Sequence, residues 1–361
     1  MTRSGSDESP LRAAAGASGP LVTDAFELLS DETRLAILLA LWEAYDPTRS
    51  AESMTFSELF DRVGVPDSGN FNYHLNKLLG QFVEETATGY RLRNAGLKIV
   101  QATIAGAGLE EQRLPPTELD MPCYRCGAPV ELSYRREHLY HICSDCEGNS
   151  GPAHGEDRPP GTLMMFDFNP AGLANREPGE IFVAGTVKSL RDFGSLMRGV
   201  CPACSGAIET SIHICDDHTA PAGEVCSTCG TGDEIRVGYV CSVCKHGDTY
   251  PGHAAVYDHP AVVAFCHKHG IRTTYEIDDP EGCVALWDHL LSRDCTLVSE
   301  EPIRFRVSVP ATGETLHVTV DEELTTIAVA VESTNDASGA VGGAPREHPE
   351  LDRHRSRMDG L

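Results

Sequence analysis

The chain of 361 residues is longer than one ordinary hydrophobic core supports, so its length predicts two or three domains. Its 54 acidic and 29 basic residues give a formal net charge of -25 at pH 7. No apolar run approaches the roughly 18 residues that a membrane-spanning helix needs. Residues 1–19 also lack the apolar segment of an export signal. We therefore expect a cytoplasmic protein with no membrane partner.

The basic residues are biased toward arginine, because only five of the 29 are lysine. An acidic, lysine-poor composition with 6% aromatic residues is typical of halophilic archaea, which accumulate salt in the cytoplasm. Salt at 1 M screens carboxylate repulsion to roughly 3 Å, so an acidic surface stays soluble there. In such a cell the acidity does not exclude a nucleic-acid partner, as it would in dilute salt.

Residues 21–108 have the pattern of one compact, mostly helical unit. The Ser, Gly and Ala content of residues 1–20 predicts a disordered leader before it. In the first helix, over residues 25–44, Ser30 is the expected N-cap. Apolar residues then recur at helical spacing and predict a buried face formed by Leu35, Leu38, Leu39 and Trp42.

Two further helices follow, separated by the turn Gly64–Pro66. Thr55 and Glu58 have the spacing of a capping box at the start of the first, and Asp67 is the expected cap of the second. The second helix extends to Leu79, and its predicted inner face consists of Phe71, Leu75, Leu78 and Leu79. Its outward face presents Ser68, Asn70, Asn72, Tyr73, Asn76 and Lys77.

Two short strands, Phe82–Glu84 and Tyr90–Arg93, and a helix over Ala95–Ala105 complete the unit. This order of elements predicts a winged helix-turn-helix, which inserts its second helix in the major groove and sets its wing against phosphates. Asparagine side chains can pair with base edges, adenine above all. Double-stranded DNA is therefore the predicted partner, contacted by the outward face of the second helix and by Arg91 and Arg93.

Two motifs of this unit, LLSDETRL over residues 28–35 and NYHLNKL over residues 72–78, resemble the arsenical-resistance-repressor (ArsR-like) superfamily of transcription regulators. The resemblance implies DNA binding through a winged helix-turn-helix. The wing departs from the family's pattern, because Glu84 and Glu85 stand where basic residues are usual. The family's metal-sensing cysteines are also absent from this unit. The alternative interpretation is a protein-interaction or dimerisation module.

The pair Pro115-Pro116 predicts a linker over residues 112–120. Residues 121–150 then have the pattern of a four-cysteine zinc ribbon, in which Val130–Tyr134 and His138–Ile142 pair as a hairpin. A dithiol redox pair is the alternative. The predicted ligands of the first metal ion are Cys123, Cys126, Cys143 and Cys146.

A Gly- and Pro-rich stretch over residues 150–161 ends this module, and Thr162–Phe168 and Glu180–Gly199 predict a strand and a helix. Four more ligand pairs lie in residues 201–250. We favour a nested arrangement, in which antiparallel arms Ala207–Ile214 and Glu234–Val240 bring the outer two pairs together and the inner two pairs together. A cross-braced arrangement is the alternative. The nested sets are Cys201, Cys204, Cys241 and Cys244 for one ion, and Cys215, His218, Cys226 and Cys229 for the other.

Twelve ligands fill three tetrahedral sites, so we expect about three structural zinc ions per chain. A site closed by four protein ligands has no open position for a catalytic water. The sequence also shows no phosphate loop, nucleophile elbow or pair of catalytic carboxylates. We therefore expect the protein not to be an enzyme.

The C-terminal part predicts helices at Pro260–His269 and Pro280–Leu291, then strands Ile303–Val309 and Thr315–Val320 around the turn Ala311–Gly313. These elements complete an α+β domain over residues 162–332, followed by a disordered tail over residues 333–361. The cysteines outside the ligand pairs are expected to be small packing residues. They are Cys266, Cys283 and Cys295.

The predicted fold class is multidomain α+β, with an N-terminal winged helix-turn-helix, small zinc-ribbon modules and a C-terminal α+β region. This order resembles haloarchaeal transcription regulators, and we expect a homodimer that reads a pseudo-palindromic site. One alternative function is a zinc-dependent scaffold that contacts the transcription machinery. The other is a redox or metal sensor in which a labile zinc site controls the winged helix.

Overall fold

A computed structural model of the chain describes residues 27–48, 53–106, 112–149, 158–220, 224–273 and 276–333. Within these ranges the fold is mixed α and β, with four antiparallel sheets. No helix in them is long and apolar enough to cross a membrane. The predicted leader over residues 1–20 lies outside the described residues. The predicted tail does too, except for Ser333, which ends the last strand.

Over its described residues from Glu32 onward, the N-terminal unit packs four helices and a two-stranded hairpin around one apolar core. The core is centred on side chains that are fully or almost fully buried, among them Ile37, Leu59, Phe71, Leu75 and Leu78. Its elements are α1 Glu32–Glu43, α2 Phe56–Val63, α3 Ser68–Leu78, β1 Val83–Thr86, β2 Gly89–Leu92 and α4 Asn94–Ile104.

The start and the buried face of α1 differ from the prediction. Asp31 is the N-cap, because its Oδ1 accepts a hydrogen bond from the Arg34 backbone N–H at 3.1 Å. Leu35 and Leu39 are 39% and 40% exposed, and Trp42 is half-buried. The buried face consists of Ile37, Leu38, Ala40 and Leu41. Apolar residues surround most of this helix, so several stripes satisfied the helical spacing equally well.

The helix pair α2–α3 agrees with the predicted caps and turn. The Thr55 hydroxyl accepts from the Glu58 N–H, and the Glu58 carboxylate accepts from the Thr55 N–H at 2.8 Å, which completes the capping box. Gly64 ends α2 at φ +70°, a left-handed conformation that favours glycine. Asp67 caps α3 through the N–H groups of Gly69 and Asn70. The turn after α2 therefore directs α3 across the core.

The second unit is built on a four-stranded sheet in sequential order, with the helix α5 Pro178–Met197 against it. Its strands are β3 Leu114–Pro122, β4 Pro129–Arg135, β5 His138–Cys143 and β6 Thr162–Asp167. The predicted hairpin β4–β5 is confirmed, whereas the linker predicted over residues 112–120 was wrong. That segment is β3, an edge strand, and an edge strand accommodates proline because one side needs no ladder hydrogen bonds.

The third and fourth sheets share one apolar core. The third has the order β7-β8-β9, formed by Ile208–Ile214, Ile235–Cys241 and Gly247–Pro251. The helices α6 Pro260–Lys268 and α7 Pro280–Leu291 follow at their predicted positions. The fourth sheet has sequential order, with strands β10 Asp294–Glu300, β11 Ile303–Ala311, β12 Glu314–Asp321 and β13 Thr326–Ser333. Of these four strands, β11 and β12 were predicted from the sequence, whereas β10 and β13 were not.

Contacts along the chain join these parts. The Ala171 N–H donates to the Ala105 carbonyl at 3.3 Å, just after α4. Trp287 of α7 donates from Nε1 to the Thr186 hydroxyl of α5 at 3.1 Å, and Cys283 of the same helix is buried in the core of the second unit. The helix α7 therefore packs back onto the second unit.

Candidate metal centres and a candidate nucleic-acid interface

Three groups of side chains have their ligand atoms within 4.8 Å of one another and can each hold a metal ion. All twelve sequence-predicted ligands fall into these groups. The hairpin cluster lies beside β4 and β5, the base cluster at the base of the β7–β8 pair, and the tip cluster at its far end. They consist of Cys123, Cys126, Cys143 and Cys146; of Cys201, Cys204, Cys241 and Cys244; and of Cys215, His218, Cys226 and Cys229.

The hairpin cluster has the dimensions of a tetrahedral thiolate site. The Cys123 and Cys146 Sγ atoms lie 3.8 Å apart, and those of Cys126 and Cys143 lie 3.5 Å apart. Four sulfurs about 2.3 Å from one zinc ion lie roughly 3.8 Å from each other. A disulfide needs about 2.05 Å, and all four residues are free thiols. Gly127 at φ +79° makes the tight turn after the first pair.

The base and tip clusters confirm the nested grouping and contradict the cross-braced one. The strands β7 and β8 pair antiparallel from Ile208 opposite Cys241 to Ile214 opposite Ile235. At one end of this ladder the Sγ atoms of Cys204 and Cys241 lie 3.5 Å apart. At the other end the Cys229 Sγ lies 3.5 Å from His218 Nδ1. The two arms therefore pair antiparallel, as their similar lengths predict, and bring one ligand set together at each end of the ladder.

Backbone amides favour the thiolate at one cysteine of the base cluster and one of the tip cluster. The pKa of Cys226 and of Cys241 is lowered to about 6, chiefly by the backbone N–H groups of Cys229 and Cys244 respectively. In the same clusters the neighbouring cysteine side chains raise the pKa of Cys204 to about 12, and burial raises that of Cys215 to about 11. The N–H groups two residues after Cys226 and Cys241 also donate to sulfur, at 3.4 Å from Thr228 and from Val243. The thiolate is the form that ligates metal. The loops therefore favour the metal-ligating thiolate at Cys226 and at Cys241.

The remaining cysteines lie outside the three clusters, as expected. Cys266 and Cys283 are fully buried, which confirms them as packing residues, and Cys295 is half-buried. The Cys266 Sγ lies 3.3 Å from His289 Nε2, and Arg293 is buried beside them. This group was not predicted from the sequence, because its three residues come from different parts of the fold and have no motif spacing.

The predicted DNA-contacting face of α3 is exposed to solvent. Each of its six outward side chains is exposed, and Tyr73 is the most exposed large apolar side chain of the described chain, at 56%. The Lys77 Nζ lies 5.6 Å from the centre of the Tyr73 ring. Phe71, Leu75 and Leu78 are buried on the opposite face. The helix is therefore anchored on one side and leaves a polar surface free on the other.

The hairpin β1–β2 presents less positive charge than its sequence suggests. Arg91 Nε lies 2.6 Å from the Glu84 carboxylate, directly opposite it in the strand ladder. Arg93 is exposed just before α4. Met54 pairs with Tyr90 and adds an isolated bridge beside the hairpin. Of the two arginines predicted to contact phosphate, Arg91 is therefore already in an ion pair.

The fold and the three clusters define a mixed α and β protein with sites for metal ions. Residues 120–326, more than half of the chain, match the family described as a domain of unknown function (DUF7351), and the chain belongs to that family. Residues 22–103, which cover the N-terminal unit, match a second one, described as a domain of unknown function (DUF7347). No curated protein and no solved structure matches the chain.

Proposed function

We propose that the protein is a DNA-binding transcription regulator whose N-terminal unit is a winged helix-turn-helix. The observation that carries this proposal is the geometry of α2, the Gly64 turn and α3, followed by the hairpin β1–β2. An exposed polar face on the second helix of such a pair is the surface that reads the major groove. Asn72 and Asn76 lie one helical turn apart on it and can pair with adjacent bases.

The second part of the proposal is that the three clusters hold structural zinc, about three ions per chain, in zinc-ribbon modules. Thiolate and imidazole ligands at tetrahedral spacing favour zinc over harder cations. Each ion has four protein ligands, so the sites are closed and their contribution is to stability. The regulator is then a cytoplasmic homodimer on a pseudo-palindromic site, with zinc modules that support the C-terminal region.

The test is DNA binding by the full-length protein. Footprinting on the DNA upstream of its own gene supplies a specific site, and fluorescence titrations then compare variants on specific and scrambled duplexes. Asn76→Ala should lose roughly 1–3 kcal/mol on the specific site alone. Lys77→Ala should weaken binding to both duplexes similarly, because a phosphate contact carries no sequence information. Gln101→Ala removes an exposed amide from α4 and is the matched control.

A protein-interaction module is the second candidate, and two observations favour it. The Glu84–Arg91 ion pair removes a cation from the hairpin, and Leu35 and Leu39 of α1 are exposed apolar residues. If Asn76→Ala and Lys77→Ala both bind DNA as tightly as the wild type, this second function replaces the first.

A further inference from the structure

Among the described residues, no element covers the apolar edge strand β13. It lies at one end of the sheet order β10-β11-β12-β13, and within the described chain it pairs only with β12. Seven of its eight residues are exposed. Natural proteins protect such edges with charges, prolines or covering elements, because the free backbone groups are a template for another strand. Residues 324–331 contain no charge and no proline, in a chain of net charge -25.

The uncovered side chains of β13 lie on the core-facing side of the sheet. Val329 is opposite Val318 and Val331 is opposite Leu316 in the antiparallel ladder. Directly opposite residues share a face of the sheet, and Val318 and Leu316 are buried in the core. Val329 and Val331 nevertheless remain 47% and 53% exposed. The core-facing surface of the sheet therefore continues past the core and lacks a cover at this edge.

We propose that β13 pairs antiparallel with β13 of a second copy of this chain, joining the two fourth sheets into one continuous sheet across a two-fold axis near Val329. This dimer contact concerns the C-terminal sheet and stands whether or not the N-terminal unit binds DNA.

Charge complementarity favours a second copy in this orientation. Two chains of charge -25 repel each other over most of their surfaces, and residues 324–331 offer a neutral strip where they can meet. With the axis at Val329, Glu332 of each copy lies opposite Thr326 of the other. A parallel pairing in register would instead set the two Glu332 carboxylates side by side, which is destabilising. On its own strand pair, Glu332 lies 3.2 Å from His317.

The chain that follows β13 is a poorer cover. Residues 334–361 contain four large apolar residues, none adjacent to another, among glycines, prolines and charges; they are Val341, Leu351, Met358 and Leu361. They do not alternate as a strand pairing with β13 would require. A second β13 supplies the alternation directly, and a two-fold contact of this kind is self-complementary.

The first experiment measures the mass of the full-length protein by sedimentation across about 1–100 µM, since an interface of one strand pair is small and its dimer reversible. We expect a shift from 39.0 kDa toward twice that mass. Hydrogen exchange of residues 326–333 should slow as concentration rises. A monomer throughout the range overturns the proposal. Protection of the strand at concentrations where the mass is that of a monomer also overturns it, because the strand is then covered by its own chain.

The second experiment uses charge at the proposed axis. Val329→Glu and Val329→Lys should each weaken the dimer by about tenfold or more, a loss of at least about 1.4 kcal/mol, because like charges then face each other. An equimolar mixture of the two variants should restore dimerisation as a heterodimer. These measurements use the lowest salt concentration at which circular dichroism shows an intact fold, because salt screens the repulsion between like charges.

The matched control is Val298→Glu on β10, the opposite edge of the same sheet, where Val298 is 48% exposed. We expect this variant to dimerise like the wild type. An unchanged dimer in Val329→Glu, an equal loss in Val298→Glu, or a mixture that stays monomeric would each overturn the proposal.

Discussion

The N-terminal unit and the tip cluster hold their folds by different means. The N-terminal unit buries large apolar side chains such as Leu59, Phe71 and Leu75 completely or almost completely. Around the tip cluster, within the described residues 215–220 and 224–234, the buried residues are Cys226, Gly230 and Thr231. A region without a large buried apolar side chain cannot offset its conformational entropy by the hydrophobic effect. Ligands, rather than apolar periodicity, encode its structure.

Removal of the metal should give the largest difference in stability between the tip region and the N-terminal unit. Structural zinc contributes roughly 10–16 kcal/mol to the folding of small zinc modules, so chelation should unfold the tip region and leave the N-terminal unit intact. Hydrogen exchange resolved by peptide measures both regions in one sample. Elemental analysis of tag-free protein should first give about three zinc ions per chain. One ion or none would contradict the assignment of the clusters.

Loss of a single tip ligand should have a local effect. Cys215→Ser removes one of four ligands, so the tip ion should dissociate and the content fall from three ions to two. The hairpin and base clusters share no ligand with the tip. Cys295→Ser is the matched control, because Cys295 lies outside every cluster and should leave three ions bound. Equal losses in both variants would show that the cysteines do not act through these clusters.

A substitution in the apolar core, in place of a metal ligand, tests the N-terminal unit. Leu75 is 1% exposed, so Leu75→Ala leaves a cavity in the core and should lower the free energy of unfolding by about 2–5 kcal/mol. Leu39→Ala removes the same atoms from a side chain that is 40% exposed and should cost much less. Denaturant titration followed by the fluorescence of Trp42, in chains that carry Trp287→Phe, reports this unit. Zinc content should not change in either variant, and a loss of zinc would contradict separate stabilisation.

The smallest effect that we expect is that of salt concentration on the affinity for DNA. Ordinary regulators lose affinity steeply with salt because each neutralised phosphate releases counterions. Here Arg91 is paired with Glu84, which leaves Lys77 and Arg93 as exposed cations of the proposed interface. We therefore expect log Kd to change with log salt by a slope no steeper than about 2 per protomer, or about 4 for the homodimer, and binding to persist at molar potassium chloride. A steep loss of affinity would reveal a basic surface elsewhere.

The cysteine sites were predictable from the sequence because their spacing is a geometric constraint. Arms of nearly equal length between Cys204 and Cys215 and between Cys229 and Cys241 allow an antiparallel ladder, and the structure groups the ligands accordingly. The caps of α2 and α3 were predictable for the same reason, since a cap is a contact within three residues. The ligand spacing and the helix caps both depend on residues close together in the chain, so the sequence alone predicts them.

Features that depend on distant parts of the chain were not predictable. The buried face of α1 is selected by the helices that pack on it, and its own apolar residues fit several faces. The strand β3 contains Pro115 and Pro116, which locally favour a linker, yet pairing with β4 makes it a strand. The contact of Cys266 with His289 joins α6 and α7, and no sequence motif predicts it.

The nested ligand sets also imply an order of folding. Cys201 and Cys244 are separated by 43 positions, whereas the tip ligands lie within one short loop. Each doubling of loop length adds about 0.6 kcal/mol to the entropy cost of closure, so the tip closes more readily. Once it has closed, only the two arms separate the base ligands, and pairing of β7 with β8 can bring them together. We therefore expect an ion bound at the tip cluster to nucleate a hairpin that closes toward its base, so that contacts of long sequence separation form through a succession of short ones.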